Sequence, residues 1–153
     1  MLSATDAIVR GTAVCGPEDD LHVAVQRMRD SDCCALPVVN HMRQVVGILT
    51  GRDVCLAAAR SDRPLRGTSV AQVMSTDVRS VGRLADIDEV HHVMRRFVVR
   101  RVPIVDGDDR LIGVVSVDDL AAHVETAEPV ERARLGRMLM ETFAVFADQH
   151  ATR

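Results

Sequence analysis

The chain repeats itself once without a gap, and no other feature constrains its fold as much. The stretch GILTGRD at 47–53 returns as GVVSVDD at 113–119, so Gly47 and Gly113 stand 66 residues apart. The same offset aligns Ser3 with Ser69, Gly16 with Gly82, Asp20 with Asp86, Met28 with Met94, Pro37 with Pro103, Val39 with Val105 and Asp53 with Asp119. Where identity fails, apolar character persists: Ile8 meets Met74, Leu21 meets Ile87, Val38 meets Ile104 and Ile48 meets Val114. A solenoid needs at least three copies to bury its repeats, so one long-period pair reads as a duplicated unit. Neither copy is large enough for a comfortable core of its own. The expectation is two lobes packed with approximate twofold symmetry, spanning 3–60 and 69–124 and joined by a polar linker at 61–68.

Each copy reads as β-α-β-β-α, an α+β fold. Asp20 is placed to cap a helix whose stripe is Leu21, Ala24, Val25 and Met28, at i, i+3, i+4 and i+7. Its counterpart has Asp86 as cap, Glu89 as capping-box partner and Ile87, Val90 and Met94 as stripe. Two apolar runs joined by a polar turn follow in each copy, LPVVN then VVGILT, and VPIVD then LIGVVS, which predicts a hairpin. Pro37 and Pro103 suit a strand start or edge, since proline has no N–H for a ladder. Helices follow at 52–60 and 117–124, and short strands are expected before the first helix, at 12–15 and 78–81. Outside the repeat, 129–147 predicts a helix started by Pro129, with Leu135, Met138, Leu139, Phe143 and Phe146 on one apolar face. That helix either packs on its own domain, the favoured reading, or completes a dimer interface.

Net charge is −3 over 153 residues with the signs interspersed, so no basic field favours nucleic acid or anionic lipid. No apolar run approaches the roughly 20 residues that span a bilayer. MLSATDAIVR carries an acid where a signal peptide needs a basic start, so the expected location is cytoplasmic. There the four cysteines, Cys15, Cys33, Cys34 and Cys55, read as reduced thiols, mostly buried small hydrophobes.

The paired Thr50/Asp53 and Ser116/Asp119 admit two readings. A hydroxyl followed three residues later by an acid is a capping box, which needs no ligand. The same helix start also offers unpaired amides and partial positive charge to a phosphate. An aspartate one turn in can accept hydrogen bonds from both hydroxyls of a ribose, and the apolar edge of LPVV or VPIV can hold a base.

A tandem repeat with an L/V-P-V-V-D run and a G-h-x-T/S-x-x-D run resembles the CBS domain, and the pair resembles a Bateman module. The resemblance covers about residues 3–124, closest in VRRVPIVDGDDRLIGVVSVDDL, and the whole chain is similar to stand-alone bacterial CBS pairs. It implies a sensor that binds AMP, ADP, ATP or S-adenosylmethionine in the cleft between the repeats, commonly as a disc-shaped homodimer. Carried over, the phosphate and ribose roles fall on Thr50, Asp53, Ser116 and Asp119. Arg101, just before Val102 and Pro103, corresponds to a basic residue that reaches ligand phosphates in some members, which fits guanidinium chemistry. Copy one has Ala35 there and offers Arg52 within its motif instead, where copy two carries the repelling Asp118. The Asp119 and Arg101 site is therefore the better equipped for a charged nucleotide, although Arg100 and Arg101 equally suit solvated strand residues.

No cysteine or histidine pair has zinc-ligand spacing, and the doublet His91-His92 points about 100° apart on a helix. Nucleophile-elbow, Walker, H-E-x-x-H and G-x-G-x-x-G motifs are missing, so the chain reads as a non-enzyme with no required cofactor. The leading reading is a regulator that binds an adenosine nucleotide and passes the signal through a homodimer or an unidentified protein partner. Its rivals are a ligand-free interaction module and a thiol redox or metal sensor.

Overall fold

A computed structural model describes residues 2–8, 11–60 and 65–151, with side chains described through 148. Part of the 61–68 linker therefore lies outside the described residues. The elements run α1 (Leu21–Asp30), β1 (Ala35–Val39), β2 (Val45–Thr50), α2 (Gly51–Arg60), a 3-10 turn (Val70–Gln72), β3 (Val81–Gly82), α3 (Ile87–Phe97), β4 (Arg101–Val105), β5 (Leu111–Ser116), α4 (Val117–Thr126) and α5 (Pro129–Ala151). The leading strands are shorter than the spacing predicts. Cys15 makes a single parallel bridge to Val38, and β3 is two residues long, parallel to β4.

β1 and β2 form an antiparallel ladder in which Ala35 faces Thr50 and Pro37 faces Ile48. Pro37 sits inside β1, not at its start, because nothing there calls for its missing N–H. The Ile48 N–H bonds outward to the Ser75 carbonyl at 2.9 Å, and the Pro37 carbonyl accepts from Cys15 N–H at 3.1 Å.

The compact units are not the contiguous repeats. One joins Met1–Gly11, Arg79–Asp106 and Ile112–Arg153; the other joins Thr12–Val78 and Gly107–Leu111. The segment that leads each repeat thus packs in the unit built mainly from the other repeat, and the hydrogen bonds are duplicated at the 66-residue offset. Ala4 N–H donates to the Ala85 carbonyl at 2.9 Å and Val70 N–H to that of Asp19 at 2.8 Å. Ile87 N–H reaches the Leu2 carbonyl at 3.1 Å, as Leu21 N–H reaches that of Thr68 at 2.9 Å. These exchanged leaders explain the paired glycines. A Cβ on Gly47 would lie 2.5 Å from Met74 Sδ and 3.0 Å from the Ser75 carbonyl, and one on Gly113 would lie 2.5 Å from Ile8 Cδ1.

In the first-repeat unit the core gathers Cys15, Leu21, Ala24, Met28, Leu36, Val38, Leu49, Val54 and Val70. Asp20 caps α1 by accepting from His22 N–H at 2.8 Å, and its other oxygen accepts from Gly67 N–H at 2.6 Å. These amides, Gly67 first, hold its pKa below the usual value. In the second-repeat unit Asp86 caps α3 by accepting from Glu89 N–H at 2.9 Å. Ile87, Val90 and Met94 are buried there with Leu120, and α5 closes this core over α3 and α4 with Leu135, Met138, Leu139 and Phe146. The favoured sequence reading of α5 holds, with two differences in its face. Thr142 is fully buried, its hydroxyl donating to the Met138 carbonyl at 3.0 Å, while Phe143 turns outward at 44% exposure. Buried His91 meets the Met138 carbonyl through Nε2 at 2.8 Å.

Two outcomes follow from this packing. Gly47→Ala is expected to cost about 1–3 kcal/mol in urea unfolding, and Gly113→Ala less, because there the crowding atoms all belong to the Ile8 side chain and none to the backbone. Burial depresses the His91 pKa below 6.5, against the raising effects of the Met138 carbonyl, Glu141 and Asp88 and with the help of Arg95. The unfolded chain then takes up this proton first, so the stability tied to neutral His91 is complete above about pH 6.5 and is lost as pH falls below it. Over that acid range the Tm of the wild type should fall more steeply than that of His91→Gln, and equal slopes would refute the assignment.

Candidate functional site

The hydroxyl–acid pairs close as full capping boxes. Asp119 Oδ2 accepts from Ser116 N–H at 2.7 Å and from Ser116 Oγ at 2.6 Å, while Asp119 N–H donates to Ser116 Oγ at 3.1 Å. In copy one, Asp53 Oδ2 accepts from Thr50 N–H at 2.9 Å and Thr50 Oγ1 at 2.6 Å, and Asp53 N–H returns to Thr50 Oγ1 at 3.2 Å. Both copies thus use one carboxylate oxygen and leave Oδ1 out of the box. Ser116 and Asp119 are buried; Thr50 and Asp53 are half-buried.

The box takes one amide of each helix start, and the residue just before the neighbouring strand takes another. Val117 N–H donates to the Arg100 carbonyl at 3.1 Å and Gly51 N–H to the Cys34 carbonyl at 2.9 Å. Of the first three amides of α4, Asp118 N–H alone has no partner among the described residues. The helix start therefore offers less to a phosphate than the four free amides of an uncapped one. Sequence reasoning missed these two carbonyls, although Cys34 and Arg100 stand at the repeat offset.

Of the eight candidate residues, Arg101, Val102, Pro103, Ser116 and Asp119 lie in the second-repeat unit, and Thr50, Arg52 and Asp53 in the other. Within the former, the Arg100–Val117 bond ties the start of β4 to the start of α4. That brings Arg101, half-buried as the first residue of β4, beside the capping box. Val102 and Pro103 are buried in the same strand. Arg100 turns elsewhere, its guanidinium 4.8 Å from the centre of the Phe146 ring. Arg52 is exposed in the first turn of α2.

The thiols are dispersed. Cys15 is buried, and desolvation, followed by the charge of Asp19, pushes its pKa up to about 11, so it stays protonated. Cys34 and Cys55 are exposed. Among the described residues, no three His, Cys, Asp or Glu side chains are grouped to hold a metal, and no helix is long and apolar enough to cross a membrane.

The model of the CBS domain matches the chain twice, at residues 4–60 and 70–126. The chain belongs to the CBS-domain family. Hypoxic response protein 1 of Mycobacterium tuberculosis is 30% identical to this CBS pair over 124 residues, covering 81% of the chain and 86% of the relative. A crystal structure of that protein, described as having two coordinated zinc ions, superposes with a TM-score of 0.71 over 79% of the chain and 98% of its own. Two more distant structures share the fold. The CBS pair of protein MJ0100, in complex with 5′-methylthioadenosine and S-adenosyl-L-methionine, has a TM-score of 0.72 at 20% identity and covers 82% of this chain and 98% of its own. CBSX2 in complex with AMP has a TM-score of 0.70 at 18% identity, with the same two coverages of 82% and 98%.

Losing a complete capping box removes hydrogen bonds at a helix start, so Ser116→Ala should cost about 1 kcal/mol. The check is a lower urea midpoint with an unchanged slope; an unaltered midpoint would mean that the box contributes nothing.

Proposed function

We propose that this CBS pair is a non-catalytic regulator that binds an adenosine nucleotide through Arg101, Val102, Pro103, Ser116 and Asp119, and more weakly, if at all, through Thr50, Arg52 and Asp53. The observation that carries the proposal is the half-used carboxylate of Asp119. Its Oδ2 is held by Ser116, which fixes the side chain in one orientation, and Oδ1 stays available for the hydroxyls of a ribose. Such preorganisation lowers the cost of binding. Arg101, the first residue of the adjoining strand, carries a donor fork suited to phosphate. Adenosine-type ligands in two proteins of the same fold support the class of ligand. AMP, ADP, ATP and S-adenosylmethionine are the candidates. The signal would pass through a homodimer or a protein partner in the cytoplasm, without membrane or nucleic acid.

A second reading has its own support. The boxes are satisfied without any ligand, as a purely structural module requires. Isothermal titration separates the two. If the nucleotide reading holds, one of the four ligands binds, and Asp119→Asn weakens it by about tenfold or more, the scale of a hydrogen bond to a charged group. Asp53→Asn should weaken it less. Absence of binding at millimolar ligand would leave the interaction module, and the reverse order of the two variants would transfer the site to the first repeat.

A further inference from the structure

The turn between α3 and β4 carries backbone strain that its counterpart in the first repeat avoids. Val98 closes α3 in the left-handed conformation, at φ 53° and ψ 47°. Asp32 holds the equivalent place after α1, at φ 48°. Aspartate visits this region readily, whereas a β-branched residue there is a genuine outlier. The rest of the turn matches, since Val99 N–H donates to the Met94 carbonyl at 3.1 Å and Cys33 N–H to that of Met28 at 2.9 Å. Backbone in such a region persists only where its surroundings over-determine it.

The second repeat has an additional hold on this turn, and it comes from α5, which lies outside both matches to the CBS model. Two residues beyond Val98, the exposed Arg100 sets its guanidinium 4.8 Å from the centre of the buried Phe146 ring. The Arg100 carbonyl receives Val117 N–H at 3.1 Å, and its neighbour Arg101 opens β4. Cys34 makes the matching bond to Gly51 in the first repeat, with a side chain that offers no cation to a ring.

We infer that Phe146 is a positioning residue for the Asp119 site: its ring holds Arg100 and, through Arg100, the strained turn and the starts of β4 and α4. The first-repeat turn, built on Asp32, does not require such a support. By linkage, a ligand that needs this arrangement tightens the docking of Phe146 by the same factor. The ligand part rests on the proposed nucleotide site; the part concerning the turn does not.

Two measurements on the full chain test the assignment, with circular dichroism to confirm folding. In the free protein, Phe146→Leu should speed amide exchange at Val117 by about fivefold, the scale of a lost cation–ring contact, and leave Gly51 unchanged. Arg100→Gln, at an exposed position, should do the same without touching the core, while Arg100→Lys should keep most of the protection. Adding Val98→Asn to Phe146→Leu should restore Val117 to within about twofold of wild type, since asparagine tolerates the left-handed conformation. Isothermal titration with AMP, ADP, ATP and S-adenosylmethionine should show the same loss for Phe146→Leu and the same recovery. Unchanged exchange at Val117, an equal change at Gly51, or no recovery with Val98→Asn would overturn the inference. If the wild type binds none of the four ligands, the nucleotide reading falls and the exchange rates alone decide the role of the turn. If it binds one and Phe146→Leu binds it equally well, the site stands and the positioning role falls.

Discussion

The close approach of the exchanged leading segments to Gly47 and Gly113 is the constraint on which the two units depend. A side chain at either glycine would collide with Met74 or Ile8, and at Gly47 the Ser75 carbonyl leaves no room to yield. The leader that passes Gly47 continues the sheet through the paired Ile48 and Ser75 hydrogen bonds at 2.9 and 3.0 Å. The opposite end of each leader ties down the turn before a helix, through Ala4 to Ala85 in one unit and Val70 to Asp19 in the other. Main-chain hydrogen bonds and a missing Cβ therefore hold each unit together with a segment borrowed from the other repeat. A single repeat cut out at its sequence boundaries would lack that segment.

The capping boxes show how one motif serves stability and recognition at once. Closing the box consumes the hydroxyl, one carboxylate oxygen and one helix-start amide, and the carbonyl just before the strand consumes a second such amide. What remains for a ligand is smaller than the bare motif suggests but better oriented. The repeats also differ in ways that bear on selectivity. Ser116 and Asp119 are buried in the repeat whose strand β4 starts with Arg101, whereas Thr50 and Asp53 are half-buried and Thr50 pairs with Ala35.

α5 is the part of the molecule that the duplication does not explain. It packs on α3 and α4 within the second-repeat unit, with Phe146 against Arg100 and edge-on to Phe143 at 6.3 Å. His91 belongs to this contact as well, and Val25 stands at its position in the first repeat. The two repeats have diverged where one of them acquired a cover.

The sequence by itself determined the order of elements, the caps at Asp20 and Asp86, the hairpins and the helices that follow them. Those features depend on neighbours a few residues apart, through periodicity, capping and turn chemistry. Phe143 was misplaced because 143 and 146 differ by less than one helical turn, and only packing selects which ring goes inward. Tertiary structure alone decided that each leader joins the unit of the other repeat, since identical spacing in the two copies serves either partner equally well. It also decided that the Arg100 and Cys34 carbonyls take helix-start amides, because main-chain acceptors carry no residue signature.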